Sequence, residues 1–204
     1  MRRRRKKQRT SPVTSRPALR RERGSGLIIV ILVVAFMFSM GIAMMTITTT
    51  GKRVADNVRS QKQAFNAAEA GFDAAWNYLN GQFTSEAWSS FEGHTLLDPS
   101  GIDLPSSTFY FRTRTDQEIF ALLDVNGDGT PDYGNILFYR QTFYRNSQGQ
   151  LDPRFTYTVF LIDDEAGTEA SDSSDALLVC IGTFGIGNTV TTARIEVELA
   201  NESN

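Results

Sequence analysis

Cysteine and histidine are nearly absent from this chain of 204 residues. It has one cysteine, Cys180, and one histidine, His94. A single cysteine excludes an internal disulfide, and its apolar surroundings, ALLVCIG, predict a buried structural thiol. Metal clusters built from several cysteines and histidines are excluded by count, and no phosphate-binding glycine loop occurs. Although a Ser-His-Asp arrangement through His94 stays formally open, we predict that the protein is not an enzyme.

Basic residues are scarce beyond Gly24. Residues 1–24 hold eleven lysines and arginines and one acid, Glu22, so they carry a charge of +10. Subtracting them from the 21 basic and 23 acidic residues of the whole chain leaves 10 and 22, a charge of −12. The positive-inside rule then predicts a cytoplasmic head and an exported body. A nucleic-acid-binding tail would not need an apolar run beside it, so we predict no nucleic-acid partner.

Charged residues are missing altogether between Arg23 and Lys52. From Leu27 the sequence is apolar for about twenty residues, which is long enough to cross a bilayer. A secretory signal peptide is one interpretation, with Gly41–Ala43 as its cleavage site. A permanent membrane anchor is a second interpretation. The helical pattern continues directly beyond the apolar run, and a discarded signal does not explain that continuation.

One helix is predicted from Ser25 to Leu79, interrupted at most near Gly41 or at Thr48–Gly51, with Asn80–Gly81 as its stop. Its second half is expected to be amphipathic and to lie on a sheet. The predicted apolar face follows steps of three and four residues once Gln61 is admitted, and consists of Val54, Val58, Phe65, Ala68, Phe72, Trp76 and Leu79.

Aromatic and β-branched residues recur in the second half of the chain and predict an antiparallel sheet. The clearest alternation of apolar and charged residues runs from Ala193 to Leu199, and this strand is expected to form a hairpin with Ala176–Phe184 across the turn Gly185–Asn188. Further strands are predicted at Ser107–Arg114, Glu118–Leu123, Asn135–Arg145 and Phe155–Ile162.

The stretch RGSGLIIVILVV, from Arg23 to Val34, resembles the cleavage region of type IV pilins and type II secretion pseudopilins. The resemblance implies that a prepilin peptidase cuts between Gly24 and Ser25. A second stretch, KRVADNVRSQKQAFNAAEAGFDAAW, is similar to the N-terminal module of PilX-type pilus assembly proteins, through Asn57 and the run Ala64–Ala70. The terminal hairpin is weakly similar to that of the same proteins. The resemblance implies other pilin or pseudopilin subunits as partners, through the N-terminal helix.

Ile29 departs from the family pattern. Most pilins carry a glutamate at the fifth mature position, where the resemblance implies that it neutralises the amino terminus of a neighbouring subunit. Here that position is Ile29. A buried amine without a carboxylate partner is costly, so Ile29 suits a subunit with no neighbour above it. PilX-type and pseudopilus tip proteins share this lack, which implies a minor subunit at or near a filament tip.

The segment DVNGDGTPD, Asp124 to Asp132, has the spacing of an EF-hand-like calcium loop. The oxygens at positions 1, 3, 5, 7 and 9 come from Asp124, Asn126, Asp128, the Thr130 carbonyl and Asp132. Position 12 is Asn135 rather than glutamate, and the flanks predict strands, so this is not a true EF-hand. We predict a Ca²⁺ site here; a polar hairpin loop without metal is the alternative, since the same residues form turns. The acidic stretch Asp163–Asp175 is expected to be a solvated loop, with a second cation site or an adhesive surface as the alternative; residues 164–172 of it lie outside the part of the chain that the structure describes.

We therefore predict an α+β protein, with a long N-terminal helix packed on an antiparallel sheet that ends in a C-terminal hairpin. Residues 1–24 are the basic leader, 25–51 the transmembrane or filament-core helix, 52–80 the amphipathic helix and 81–204 an extracytoplasmic β domain. The expected function is a minor pilin or pseudopilin-like subunit that primes or caps a type IV pilus-like filament. It would start in the inner membrane and end in the periplasm or a cell-surface filament. The alternative is an exported calcium-binding or adhesion domain on a permanent anchor.

Overall fold

A computed structural model describes residues 25–163, 173–187 and 189–201. The chain divides into two compact units, Met1–Gly51 and Lys52–Asn204. The elements, in chain order, are α1 (Ser25–Thr84), a 3-10 turn (Phe111–Thr113), α2 (Asp116–Leu123), β1 (Ile136–Thr142), β2 (Phe155–Ile162), β3 (Asp175–Phe184) and β4 (Thr191–Ala200). The predicted α+β class, with a long N-terminal helix and an antiparallel sheet, is confirmed.

The four strands form one sheet in the order β1-β2-β3-β4, and every neighbouring pair is antiparallel. The predicted terminal hairpin is present, since β3 pairs with β4 without a register shift from Asp175↔Ala200 to Phe184↔Thr191. Strand β1 is less regular, with register shifts against β2 on both sides of Phe138. Four strand predictions are confirmed, those at Asn135–Arg145, Phe155–Ile162, Ala176–Phe184 and Ala193–Leu199.

Both faces of β2 and β3 are buried, so these strands read as continuous apolar runs. One face carries Phe160, Val179 and Ile181, which belong to a core that includes α2. The opposite face carries Val159, Leu178 and Cys180, which belong to a core that includes α1 residues Ala75 and Leu79. The sheet is therefore the middle layer of Lys52–Asn204.

Helix α1 continues past the predicted stop at Asn80–Gly81 and ends at Thr84. It also runs without interruption through Gly41 and Thr48–Gly51. The extra turn is held by packing, because Phe83 has ring contacts with Trp88 and Phe91. Tertiary contacts here outweigh the weak helix propensity of the Asn-Gly pair.

The predicted strand at Glu118–Leu123 is wrong, because this segment forms α2. A capping box starts the helix: the Thr115 side chain accepts from the Glu118 backbone N–H, and the Glu118 carboxylate accepts from the Thr115 backbone N–H. Ile119, Phe120 and Leu123 are buried, which is the spacing of one helical face. The signal T-x-x-E was visible in the sequence and predicts this helix start.

The predicted strand at Ser107–Arg114 is also wrong. The segment forms turns and the short 3-10 helix Phe111–Thr113. Tyr110 and Phe111 are consecutive and both buried. In a strand with one face exposed to solvent, consecutive side chains point to opposite faces, so one of the two would be exposed. The Arg114 guanidinium donates to the Thr108 carbonyl and holds the turn closed.

Candidate functional site

The first part of α1, up to Gly51, is apolar on all sides. Its large side chains are exposed from Leu27 to Ile47. The helix is long and apolar enough to cross a membrane. The threonines that follow the apolar run satisfy their hydroxyls within the helix, since Thr46, Thr48, Thr49 and Thr50 each donate to the carbonyl four residues earlier. This leaves few unsatisfied polar groups on the helix surface, as a bilayer or a protein-packed helix bundle requires.

Of the residues predicted for leader cleavage, Gly24 lies outside the described part of the chain, and Ser25 is the first described residue. Ile29, the fifth residue of the predicted mature chain, lies in the second turn of α1 and is 59% exposed. Its side chain has no polar atom, so it offers nothing that could neutralise an amine.

The second part of α1 packs on the sheet through small residues. Ala64, Ala67, Ala68 and Ala75 are fully buried. The helix backbone approaches β3 so closely that a Cβ atom placed on Gly182 would lie 2.1 Å from the backbone nitrogen of Ala68. A Cβ contact under about 3 Å does not occur in real structures, so only glycine fits at this point of β3.

The predicted apolar face of this segment is right at Ala68 and Leu79, which are buried, and wrong at four other positions. Val54, Val58, Phe65 and Trp76, which were expected to lie on the sheet, are about half exposed, between 46% and 55%. The face that packs is rotated by about one residue, or about 100° around the helix. Close packing on a glycine-bearing strand needs small residues, so the alanines, and not the large apolar residues, face the sheet.

We call the exposed set Val54, Val58, Phe65 and Trp76 the apolar stripe. These residues lie on one face of α1, at steps of four, seven and eleven. Phe72 extends the stripe towards the core, and its ring stacks on Trp76 with 6.3 Å between centroids. A shallow groove lined by Trp76, Phe83 and Val197 adjoins its far end.

Residues 23–73 match the family model of the PilX N-terminal domain. This segment, a quarter of the chain, is similar to the PilX N-terminal domain. The match spans the apolar run and the alanine run Ala64–Ala70, the two stretches on which the resemblance rested, and it confirms that resemblance. The match also supports a role as a minor pilin related to the type IV pilus. Membership in this family implies association with other pilus components. No curated protein sequence and no solved structure matches the chain.

The alanine run of the segment that matches the PilX N-terminal domain has two sides with different surroundings. Ala64, Ala67 and Ala68 of the AFNAAEA run form the surface that contacts β3, while Phe65 of the same run points away from the core. The AFNAAEA run thus contributes to two surfaces of one helix. One, made of small residues, packs on the sheet, and the other, which is apolar, is exposed to solvent.

The loop from Asp124 to Asp132, here called the acidic loop, connects α2 to β1. Asp124 ends α2, with its N–H bonded to the Phe120 carbonyl, and the N–H of Asp132 closes the loop on the Leu123 carbonyl at 2.9 Å. Three side chains accept from N–H groups further along: Asn126 from Asp128, Asp128 from Thr130, and Asp124 from Gly129. The five predicted ligands therefore share one folded loop.

Asp132 faces the start of the same loop. Its carboxylate accepts from the N–H groups of Val125 and Asn126 and from the Asn126 side-chain amide. Hydrogen bonds from the Thr130 side chain and N–H lower the pKa of Asp128. Within the described residues, no three carboxylate, imidazole or thiol side chains converge tightly enough to enclose a metal ion.

His94 and Cys180 occupy separate structural positions. The His94 ring stacks on Trp88 at 3.7 Å between centroids. Cys180 is fully buried in β3, as predicted, and burial raises the pKa of its thiol to about 12. Neither observation tests enzymatic activity, and its absence stays a prediction.

Proposed function

We propose that this protein is a minor pilin-like subunit that primes or caps assembly of a type IV pilus-like filament, at or near its tip. The observation that carries the proposal is the PilX N-terminal domain at residues 23–73. The apolar surfaces of α1 add to it, because the large side chains from Leu27 to Ile47 and the apolar stripe are exposed in the single chain.

The first part of α1 suits two environments in turn. In the inner membrane its side chains contact lipid, and in a filament they contact the helices of other subunits. Little apolar burial is lost in the exchange, because one apolar surrounding replaces another. A prepilin peptidase would release the helix by cutting between Gly24 and Ser25.

The apolar stripe gives the exported part of the chain its own contact surface for a neighbouring subunit. Each of its side chains is about half exposed, so covering them contributes about 1 kcal/mol each. A groove lined by Trp76, Phe83 and Val197 extends that surface. We expect the partner to bury these residues with an apolar face of its own.

Ile29 supports a position at the end of the filament. A subunit stacked inside a fibre would bury its new amino terminus, and an unpaired buried amine costs several kcal/mol, of order 2–7 for a polar group without a partner. The charge of −12 beyond Gly24 disfavours many copies side by side, since like charges repel.

The experiment is to locate and count the protein in purified filaments. A labelled protein should mark one end of each filament, in far fewer copies than the main subunit, and its deletion should reduce the number of filaments while leaving their composition unchanged. Ile29→Glu should not improve assembly. Labelling along the whole filament, or an abundance equal to that of the main subunit, contradicts the proposal.

A further inference from the structure

We infer that the acidic loop is a calcium site whose ligands are oxygens of Asp124, Asn126, Asp128, Thr130 and Asp132. The observation that carries the inference is a buried carboxylate oxygen with no partner. Asp124 is 8% exposed, and its Oδ1 atom has no hydrogen-bond partner among the described residues. The inference does not depend on the filament role, because a calcium loop can serve any exported domain.

Asp124 is already oriented towards the loop. Its second oxygen, Oδ2, accepts from the Gly129 N–H at 3.0 Å and from the Tyr139 hydroxyl at 3.2 Å. These two donors hold the carboxylate plane between the loop and β1.

An unpartnered buried carboxylate oxygen needs a compensating positive charge. Leaving such a group unsatisfied is among the costliest features of a protein interior, and native structures contain very few. Among the described residues Asp124 forms no ion pair, and the Arg140 guanidinium lies over the rings of Phe120 and Tyr139. A cation bound at Oδ1 supplies the missing charge.

The remaining oxygens are of the right type for calcium. Side-chain oxygens at alternate positions of a short loop can surround one ion, and Gly129 at position 6 has φ +86, a conformation that favours glycine. The loop offers oxygen atoms only, which hard cations prefer to nitrogen or sulfur. Ca²⁺ accepts such flexible sets at 2.3–2.6 Å, whereas Mg²⁺ demands near-ideal octahedral geometry.

The absence of a glutamate at position 12 limits the expected affinity. Asn135 stands there, and its side-chain amide donates to the Thr95 carbonyl instead. Water must then complete the coordination, and the carboxylates of Asp128 and Asp132 must turn from their hydrogen bonds towards the ion. We expect a dissociation constant of about 10⁻⁴–10⁻³ M, the range of extracellular calcium modules.

The test is thermal unfolding of the full chain in detergent, with CaCl2 or MgCl2 added to metal-free protein. At a hundredfold excess over the dissociation constant, CaCl2 should raise Tm by about 5–10 °C, and MgCl2 should raise it less. Asp124→Asn should abolish the rise, and in metal-free buffer it should unfold no earlier than the wild type because it removes the unpaired charge. Asp73→Asn, an exposed acid on α1, is the matched control and should keep the full rise.

Two results would overturn the inference. One is a wild-type Tm that does not change up to about 10 mM CaCl2, ten times the weakest expected dissociation constant. The other is an equal rise in the wild type and in Asp124→Asn, which would place the bound ion elsewhere. If Asp124→Asn fails to fold, Asp128→Asn decides, because Asp128 is exposed and its loss should reduce calcium affinity at least tenfold without affecting the fold.

Discussion

Gly182 of β3 is in backbone contact with Ala68 of α1. A Cβ atom on Gly182 would lie 2.1 Å from the Ala68 nitrogen and 2.2 Å from the Ala64 carbonyl oxygen. The same close approach continues along the helix, where Gly71 lies against the side chains of Tyr157 and Val159. The alanine run of the segment that matches the PilX N-terminal domain is therefore a packing surface, and the bulky residues beside it are exposed.

Gly182→Ala should destabilise the protein by about 3 kcal/mol or more, because the added methyl meets backbone that cannot move aside. Chemical denaturation followed by circular dichroism measures the change. Gly81→Ala is the control: Gly81 lies in α1 with open space around it, so alanine should stabilise by about 0.5–1 kcal/mol. A neutral Gly182→Ala would show that α1 and β3 are further apart than described.

Arg194 joins β4 to the segment around α2. Its guanidinium donates to the Asp116 carboxylate at 2.5 Å and to the carbonyls of Phe111 and Arg114, and its side chain is 17% exposed. Arg194→Ala leaves these partly buried acceptors without that donor, so we expect a loss of about 3 kcal/mol in the free energy of unfolding. Arg59→Ala, at an exposed helix position, should change it by less than about 0.5 kcal/mol.

Acidification should weaken the start of α2. The pKa of Glu118 is lowered, first by the hydrogen bond from the Thr115 backbone N–H and then by the Thr115 hydroxyl. A carboxyl with a lower pKa in the folded state contributes stability above its unfolded value of 4.5, and this contribution is lost as the pH falls through the folded pKa. The Tm difference between the wild type and Glu118→Gln should therefore be largest near neutral pH and shrink below pH 4.5. A difference that does not depend on pH would count against this role of Glu118.

Processing of the N-terminus separates the filament subunit from a permanently anchored domain. The mature chain should begin at Ser25, and Gly24→Val should leave an uncut protein in the inner membrane. N-terminal sequencing gives the answer. Gly41→Val tests the signal-peptide interpretation, which alone predicts a defect from this change. A mature chain that starts at Met44, or an exported form that retains Met1, contradicts the filament proposal.

The apolar stripe should matter for assembly and not for folding. Phe65→Ser removes an exposed ring, so Tm should change little while filament number falls severalfold, as counted by electron microscopy. Lys62→Ser, also exposed on α1, is the control and should leave filament number near the wild-type value. Normal filament numbers with Phe65→Ser would remove the stripe from the proposed interface.

Local sequence determined the elements whose signals lie within a few residues of each other. The charge-free run before Lys52 dictates an apolar helix, and the alternation from Ala193 to Leu199 dictates β4. Both follow from periodicity, which is a property of neighbouring residues. The acidic loop was also visible, because turn residues and their spacing are local.

The tertiary structure decided which surfaces are covered. Phe65 and Ala68 belong to the same helix, and only the approach of Gly182 explains why the alanine is buried and the phenylalanine exposed. The alternation in β4 places Arg194 on the face expected to be exposed to solvent. In the structure, Asp116 of α2 pairs with its guanidinium. The Asp124 Oδ1 atom, which has no hydrogen-bond partner among the described residues, is likewise a consequence of burial beneath neighbouring segments. Burial depends on contacts between residues distant in the chain, and no local pattern contains that information.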